Sequence, residues 1–186
     1  MGKLNLILGP MYSGKTSTLL SRYLRYKVAG KSCLLIKFKK DNRYSEDKIV
    51  THNLIKETAF SCCLLEECNS IVKDFDIILI DEVQFYSDAS IFCDKWANEG
   101  KIIEASGLNG DFQRQPFNQI SKLIPLCDTL VHLTAVDREN GNDAPFTARL
   151  SSQNEQQIIG GEELYQAVSR QNYNLHISNQ QENLSI

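Results

Sequence analysis

The chain lacks any long hydrophobic run. No apolar stretch in its 186 residues approaches the roughly 20 residues that a membrane-spanning helix requires. The opening segment, MGKLNLILGP, shows neither a cleavage-site pattern nor the Ser or Thr at position six that a myristoylation signal needs. We therefore expect a cytoplasmic protein without a membrane partner.

Clustered positive charge and paired cysteines are also missing. The net charge is −3, and the basic run at Lys37, Lys39 and Lys40 is too short for a surface that follows a nucleic-acid backbone. The six cysteines contain no C-x-x-C pair and lie mostly in apolar stretches, which is typical of reduced core thiols. We expect neither a nucleic-acid partner nor a disulfide scaffold.

What the sequence does contain is a phosphate-binding pattern at residues 9–16. GPMYSGKT matches G-x-x-x-x-G-K-[ST], in which backbone N–H groups converge on nucleotide phosphates. Lys15 would neutralise phosphate oxygens, and Thr16 would hold Mg²⁺ through its hydroxyl. The alternative is a turn without a ligand, but a strand pattern precedes the motif and a helix pattern follows it. We call this segment the phosphate cradle: Gly9, Pro10, Met11, Tyr12, Ser13, Gly14, Lys15 and Thr16.

Hydrophobic periodicity predicts an α/β fold with a parallel sheet flanked by helices. Strands are predicted at 3–8, 32–38, 75–80, 101–106 and 129–136, and helices at 17–29, 62–72, 87–98 and 119–126. The β-α-β order implies right-handed crossovers. Residues 1–136 would form a P-loop nucleotide-binding domain.

The composition changes after residue 136. The turn-rich segment DRENGND and a returning strand at 145–150 predict a small appended β-hairpin module within residues 137–173. A short helix is predicted at 162–168. The Asn-, Gln- and Ser-rich segment from residue 171 indicates disorder, so residues 174–186 are expected to be a tail.

An acidic pair, Asp81-Glu82, ends the apolar strand at 75–80. In P-loop proteins an Asp at such a strand end meets the Mg²⁺ shell, and a neighbouring Glu can take a proton from the attacking nucleophile. The alternative is a pair of helix-starting acids without a chemical role. The phosphate cradle favours the catalytic interpretation, because the pair supplies the metal ligand and the base that the cradle lacks.

Taken together, these motifs resemble the type II thymidine kinases, a small cytosolic class also used by large DNA viruses. The matching segments are LGPMYSGKT (8–16), KDNRYS (40–45), Thr51-His52, IDEVQFY (80–86), GLNGDFQRQPF (107–117), LTAV (133–136) and IIGGEELY (158–165). They run in the family's order from residue 3 to about residue 173. The resemblance implies ATP- and Mg²⁺-dependent phosphorylation of the thymidine 5′-hydroxyl for nucleotide salvage, with deoxyuridine a poorer substrate.

The resemblance also implies roles for individual residues. Glu82 would be the general base, and the phosphate cradle would bind ATP and Mg²⁺ together with Arg43, Asp81 and Gln84. Phe112 would stack on the pyrimidine. The backbone of the family's lasso loop, at residues 156–160 here, would form hydrogen bonds with the edge of the pyrimidine. The full nucleoside set is Met11, Leu108, Phe112, Phe117, Thr147, Gln156, Gln157, Ile158, Ile159, Gly160 and Tyr165. A homotetramer and feedback inhibition by thymidine triphosphate are implied as well.

The chain departs from the family at the zinc site. The family's appended module usually carries C-x-x-C after LTAV and C-x-x-[CH] near its end. The corresponding positions here are Asp137, Asn140, Ser169 and Asn172. None is a Cys or His, and zinc prefers thiolate and imidazole ligands. We therefore expect no bound zinc.

Two other functions remain as hypotheses. One is a different P-loop phosphotransferase or ATPase, although the segments at 107–117 and 158–165 argue against it. The other is a non-catalytic nucleotide-binding homologue. Retention of Lys15, Asp81 and Glu82 together argues against that.

Overall fold

The computed structural model describes residues 1–39, 48–50, 56–150 and 164–183, with the backbone alone at 48–50, 56–58 and 179–183. The strands are β1 (Lys3–Gly9), β2 (Cys33–Phe38), β3 (Lys48–Val50), β4 (Lys56–Thr58), β5 (Phe60–Cys62), β6 (Ile77–Ile80), β7 (Ile102–Leu108), β8 (Thr129–His132), β9 (Ala135–Val136), β10 (Asp143–Ala144), β11 (Phe146–Arg149) and β12 (Tyr165–Val168). The α-helices are α1 (Lys15–Val28), α2 (Ala89–Asn98), α3 (Asn118–Leu123) and α4 (Arg170–Asn183). None of the helices in these described ranges is long and apolar enough to cross a membrane.

A six-stranded sheet forms the centre of the molecule, in the order β5-β2-β6-β7-β1-β8. Every neighbouring pair is parallel. The four residues of β6, Ile-Ile-Leu-Ile, are all buried, as expected of a strand covered on both faces. The predicted α/β fold with a parallel sheet is confirmed.

Two apolar layers cover the sheet. On one face Leu19 and Leu20 of α1 pack against Ile7, Leu35 and Leu79. On the other face lies a larger cluster that includes Trp96 of α2 and Ile120 of α3. All six cysteines are free thiols, and three of them, Cys62, Cys68 and Cys93, belong to this larger cluster.

A buried carboxylate fastens α1 to the sheet. Glu104 on β7 is 2% exposed and accepts hydrogen bonds from Asn5, from Arg22 and, at 2.8 Å, from the Tyr26 hydroxyl. Burial, and then the hydrogen bond to Glu104, raise the pKa of Tyr26 to about 12. The helix that starts at the phosphate cradle is therefore anchored to β7 as well as packed on the sheet.

The appended module is built from two short antiparallel ladders, β9 with β10 and β11 with β12. Helix α4 packs on the second ladder, where Tyr173 and Ile177 contact Ala148, Val168 and Phe146. This agrees with the predicted returning strand at 145–150.

The prediction of a helix at 62–72 was wrong. In its place β5 ends at Cys62, and two short 3₁₀ helices follow at Leu65–Cys68 and Val72–Asp74. The Asp88 carboxylate, from a distant part of the chain, accepts the N–H groups of Leu65 and Glu66. These tertiary hydrogen bonds satisfy the free N–H groups at the start of the first 3₁₀ helix, and so fix where this segment begins.

Two predictions for the C-terminal part were also wrong. Residues 165–168 form β12 rather than a helix, because pairing with β11 decides their conformation. The expected tail is helical as far as Asn183. Ser169 caps this helix by accepting the Asn172 N–H at 3.3 Å, and the i, i+4 pair Tyr173 and Ile177 anchors it.

Candidate active site

The phosphate cradle connects the end of β1 to the start of α1. A side chain at Gly9 would meet the Ser13 hydroxyl at 2.5 Å and the Leu133 carbonyl at 2.7 Å, so only glycine fits. Tyr12 and Gly14 both have positive φ, 64° and 81°. Lys15 is 8% exposed and donates to the Pro10 carbonyl at 2.6 Å. The lysine ammonium is therefore held across the loop whose N–H groups would bind phosphate.

The acidic pair lies directly beside this loop. The Thr16 hydroxyl donates to the Asp81 carboxylate at 3.1 Å, and the Ser106 hydroxyl donates to it at 2.5 Å. The Glu82 N–H donates to the same group at 3.2 Å. Three donors thus fix the orientation of the Asp81 carboxylate next to α1.

The oxygen donors at this point fit Mg²⁺. Magnesium usually takes one or two carboxylates, substrate phosphates and water, and Thr16 and Asp81 would supply a hydroxyl and a carboxylate within contact of each other. Within the described ranges no group of three His, Cys, Asp or Glu residues could hold a metal. A hydroxyl and a single carboxylate leave positions in the Mg²⁺ shell for phosphate oxygens and water.

Glu82 adopts a strained conformation that points to a functional constraint. Its φ of 53° and ψ of 46° are left-handed, which is uncommon for a residue other than glycine. The Gln84 amide donates to the Glu82 carboxylate at 2.7 Å, and the Gln84 oxygen accepts the Leu108 N–H at 3.1 Å. Gln84, predicted among the ATP-binding residues, lies between Glu82 and Leu108. It joins the proposed base to the proposed nucleoside wall.

Several predicted nucleoside residues lie near the phosphate cradle or support it. The Met11 N–H donates to the Thr147 hydroxyl at 3.0 Å, and the Tyr12 hydroxyl donates to the Tyr165 carbonyl at 3.4 Å. These contacts join the cradle to the appended module. Phe117 is 4% exposed within the larger apolar cluster, in keeping with a supporting role.

The loop after β7 is shaped by Asp111, which the sequence reasoning missed. Its buried carboxylate accepts the N–H groups of Gln113 and Gln115 at 2.9 and 2.8 Å. This closes the turn that carries Phe112. A lone Asp flanked by glycine and aromatic residues was the available signal. Ser106 and Arg149 were also missed, and nothing in the sequence pattern marks them.

The four positions that carry zinc in the family come together in space. Asp137 accepts the Ser169 N–H at 2.7 Å and the Asn172 amide at 3.0 Å, and Asn140 donates to the Ser169 hydroxyl at 3.1 Å. We call these four residues the polar staple. Burial acts to raise the pKa of Asp137, but hydrogen bonds from Ser169, Glu139 and Asn172 outweigh it and hold the pKa below its ordinary value. The group is thus an ionised acceptor surrounded by donors, which does not fit zinc.

The remaining predicted site residues, Arg43, Gln156, Gln157, Ile158, Ile159 and Gly160, lie outside the described residues. Among those that are described, the phosphate cradle, the acidic pair and Leu108 lie at the carboxyl edge of the sheet, and hydrogen bonds join Thr147 and Tyr165 to the cradle. A glycine-containing phosphate cradle at the start of a helix, with an Asp-Glu pair beside it, defines a P-loop nucleotide-binding protein equipped for phosphoryl transfer.

Comparison with known proteins identifies the particular family. The family model "Thymidine kinase" matches residues 2–173. Thymidine kinases of monkeypox virus and of vaccinia virus (strain Western Reserve) are each 43% identical to the chain over 172 residues, which is 92% of this chain and 97% of theirs. That of variola virus is 42% identical over the same length. The chain belongs to the thymidine kinase family.

One solved structure, described as a DNA replication initiation factor, covers 72% of this chain and 40% of its own. Its TM-score is 0.44 at 16% identity, and a likeness this distant supports no conclusion about function.

The position of Gln84 leads to a testable prediction. Gln84→Leu removes the donor to Glu82 and leaves the partly buried Leu108 N–H without its acceptor, which costs about 1 kcal/mol of stability. We expect kcat to fall roughly tenfold as Glu82 loses its orientation. Steady-state kinetics and thermal unfolding would measure both effects.

Gln171→Leu is the matched control, since Gln171 is exposed on α4. Equal kinetics for the two variants would show that Gln84 does not position the base.

Proposed function

We propose that this chain transfers the γ-phosphoryl group of ATP to the 5′-hydroxyl of thymidine, with Glu82 as the general base. The observation that carries the proposal is the contact between Thr16 and Asp81, because it places the acidic pair against the phosphate cradle. Membership of the thymidine kinase family supports the choice of substrates. Phosphorylation of thymidine is a reaction of nucleotide salvage. We also propose a cytoplasmic location, as the resemblance implies.

The chain's own residues have distinct tasks in this reaction. Lys15 would exchange the Pro10 carbonyl for phosphate oxygens, and Thr16 with Asp81 would hold Mg²⁺, which supplies charge neutralisation when bound. Glu82 would accept the proton of the 5′-hydroxyl. It lies two residues after the end of β6, and the Gln84 amide orients its carboxylate. A different phosphotransferase is less well supported because the thymidine kinase family model matches residues 2–173. A non-catalytic homologue is less well supported because the proposed base and the phosphate cradle are both present.

For the nucleoside we propose the pocket formed by Met11, Leu108, Phe112, Thr147 and Tyr165, together with the lasso at 156–160. Two hydrogen bonds support this proposal. The Met11 N–H donates to the Thr147 hydroxyl, and the Leu108 N–H donates to the side-chain oxygen of Gln84, which also contacts Glu82. A thymine methyl group in an apolar pocket contributes roughly 1–3 kcal/mol, which gives preference over uracil without excluding it.

A nucleoside panel tests the function directly. Purified protein with ATP and Mg²⁺ would be assayed on thymidine, deoxyuridine, deoxycytidine and the purine deoxynucleosides. We expect phosphorylation of thymidine first and deoxyuridine second. Preference for another nucleoside would overturn the substrate, and ATP hydrolysis without any acceptor would support the ATPase alternative.

The role of Glu82 gives a second prediction. Glu82→Gln keeps the size of the side chain but removes the base, so kcat should fall by roughly 10²–10⁴ while thymidine binding persists. Glu99→Gln, at an exposed position in the same chain, is the control. Near-normal turnover by Glu82→Gln would remove Glu82 from this role.

We also propose that the appended module is held by hydrogen bonds in place of zinc. The support is that Asp137 accepts from the start of α4, through the Ser169 N–H and the Asn172 amide. The polar staple therefore joins the β9–β10 turn to α4, which is the connection that a metal would make. We expect elemental analysis of the purified protein to find no stoichiometric zinc, because the ligand positions hold neither thiolate nor imidazole.

The staple gives a third prediction. Asp137→Asn replaces an acceptor-only group by one that also presents donors, so it should lower the free energy of unfolding by about 1–3 kcal/mol at neutral pH. Because the folded-state pKa of Asp137 is lowered, its contribution is present above the ordinary value of about 4 and is lost as pH falls through the lowered pKa. The difference between wild type and variant should therefore shrink below about pH 4.

Denaturant unfolding at several pH values would measure this difference. Asp143→Asn, an exposed carboxylate in the same module, is the control. A pH-independent difference would contradict the role of the Asp137 charge, and one zinc per chain would contradict the metal-free module.

Finally, we propose a homotetramer that thymidine triphosphate inhibits by feedback, as the resemblance implies. Apolar side chains exposed on α1 and β8, Leu24, Val28 and Leu130, are available for contacts between copies. We expect light scattering to give four chains per particle, and thymidine triphosphate to compete with thymidine. A monomer at every concentration, with or without ATP, would contradict the assembly.

A further inference from the structure

One face of the Phe112 ring is covered by a guanidinium group. The Arg149 Cζ lies 3.8 Å from the ring centroid, and Arg149 is only 2% exposed. Its Nη2 donates to the Tyr165 hydroxyl at 2.6 Å. Arg149 and Tyr165 are also paired across β11 and β12. A single buried side chain therefore contacts both aromatic residues of the proposed nucleoside pocket.

A side chain of helix α4 holds the backbone of Phe112. The Tyr173 hydroxyl donates to the Phe112 carbonyl at 2.8 Å, and Tyr173 is 2% exposed. The Arg114 guanidinium lies 4.3 Å from the Tyr173 ring, which ties the other end of the loop to α4. The His176 Nε2 lies 2.8 Å from the Arg149 carbonyl, and it must be the donor because a carbonyl only accepts.

These contacts restrict Phe112 in two ways. A planar guanidinium is attracted to an aromatic face and stacks on it, which a lysine ammonium does less well. With Arg149 on one face, only the other face remains for a nucleobase. With the Phe112 carbonyl held by the Tyr173 hydroxyl, the backbone of the loop cannot move away from α4 without losing this partly buried hydrogen bond.

We propose that Arg149 and Tyr173 are positioning residues for nucleoside binding. Arg149 fixes the plane of Phe112 and the hydroxyl of Tyr165, and Tyr173 fixes the loop that carries Phe112. This inference rests on the proposed function, in which Phe112 stacks on the pyrimidine. Arg149 contacts Phe112 and Tyr165, and Tyr173 contacts Phe112, so in this proposal both act through those two residues and not by binding the nucleoside directly.

The test compares three variants with a matched control. Arg149→Met removes the charge and the planar group, Arg149→Lys keeps the charge alone, and Tyr173→Phe removes only the hydroxyl. The control is Tyr26→Phe, which loses another hydroxyl hydrogen bond of 2.8 Å, to Glu104 and away from the pocket. Steady-state kinetics would give KM for thymidine and for ATP separately, and thermal unfolding would report folding.

We expect KM for thymidine to rise about tenfold in Arg149→Met, somewhat less in Arg149→Lys and a few-fold in Tyr173→Phe. KM for ATP should stay within roughly twofold of wild type in all three. Tyr26→Phe should leave KM for thymidine unchanged. Should Arg149→Met fail to fold, the two conservative variants decide by the same criteria.

A double-mutant cycle with Phe112→Leu separates positioning from general stability. If Arg149 acts through Phe112, the double variant should raise KM for thymidine by less than the product of the two single effects. Independent effects that multiply, or folded variants with wild-type KM for thymidine, would overturn the proposal. So would an equal rise in KM for ATP.

The wild-type protein, assayed beside the variants, keeps the two questions apart. Failure of wild type to phosphorylate thymidine would overturn the proposed function. An active wild type with unaffected variants would overturn the positioning role alone.

Discussion

The parallel pairing of β6, β7 and β1 determines where the phosphate cradle, the acidic pair and the Phe112 loop lie. In this register Ile80 pairs with Ala105, and Gly9 pairs with Leu108. Asp81, the residue after Ile80, therefore lies beside Ser106, which donates to its carboxylate. Because all three strands end at one edge, the phosphate cradle, the acidic pair and the Phe112 loop meet there without any long-range adjustment.

Strain is concentrated at this edge and is balanced by local contacts. Tyr12 and Glu82 both have positive φ, which costs of order 1–3 kcal/mol each. Tyr12 is held by its hydrogen bond to the Tyr165 carbonyl and by contact with a cluster of alanines. Glu82 is held by Gln84 on one side and by Asp81 on the other. These conformations persist because the surroundings allow few alternatives, as preorganised sites require.

The sequence was sufficient for the fold class and for five of the six strands of the sheet, because apolar runs are local patterns; the short strand β5 was missed. The spacing of glycine, lysine and threonine predicted the loop between β1 and α1, and the acidic pair followed from its place after β6. It was insufficient where distant side chains decide the conformation. Asp88 shapes the segment after β5, and pairing with β11 makes residues 165–168 a strand. Arg149 carries no local signal, since its role arises only when β11 and the Phe112 loop meet.

The polar staple and the nucleoside pocket are joined by one turn of helix. Ser169 caps α4 through its hydroxyl, and its N–H donates to the Asp137 carboxylate. One turn later, the Tyr173 hydroxyl donates to the Phe112 carbonyl. The backbone bond from the Tyr173 N–H to the Ser169 carbonyl, 2.9 Å long, links the two directly. Loosening the staple would free the first turn of α4, and with it the hydroxyl that holds the loop. The stability of the appended module and the position of the Phe112 loop thus depend on the same few hydrogen bonds, so a change at Asp137 would also alter the support of Phe112.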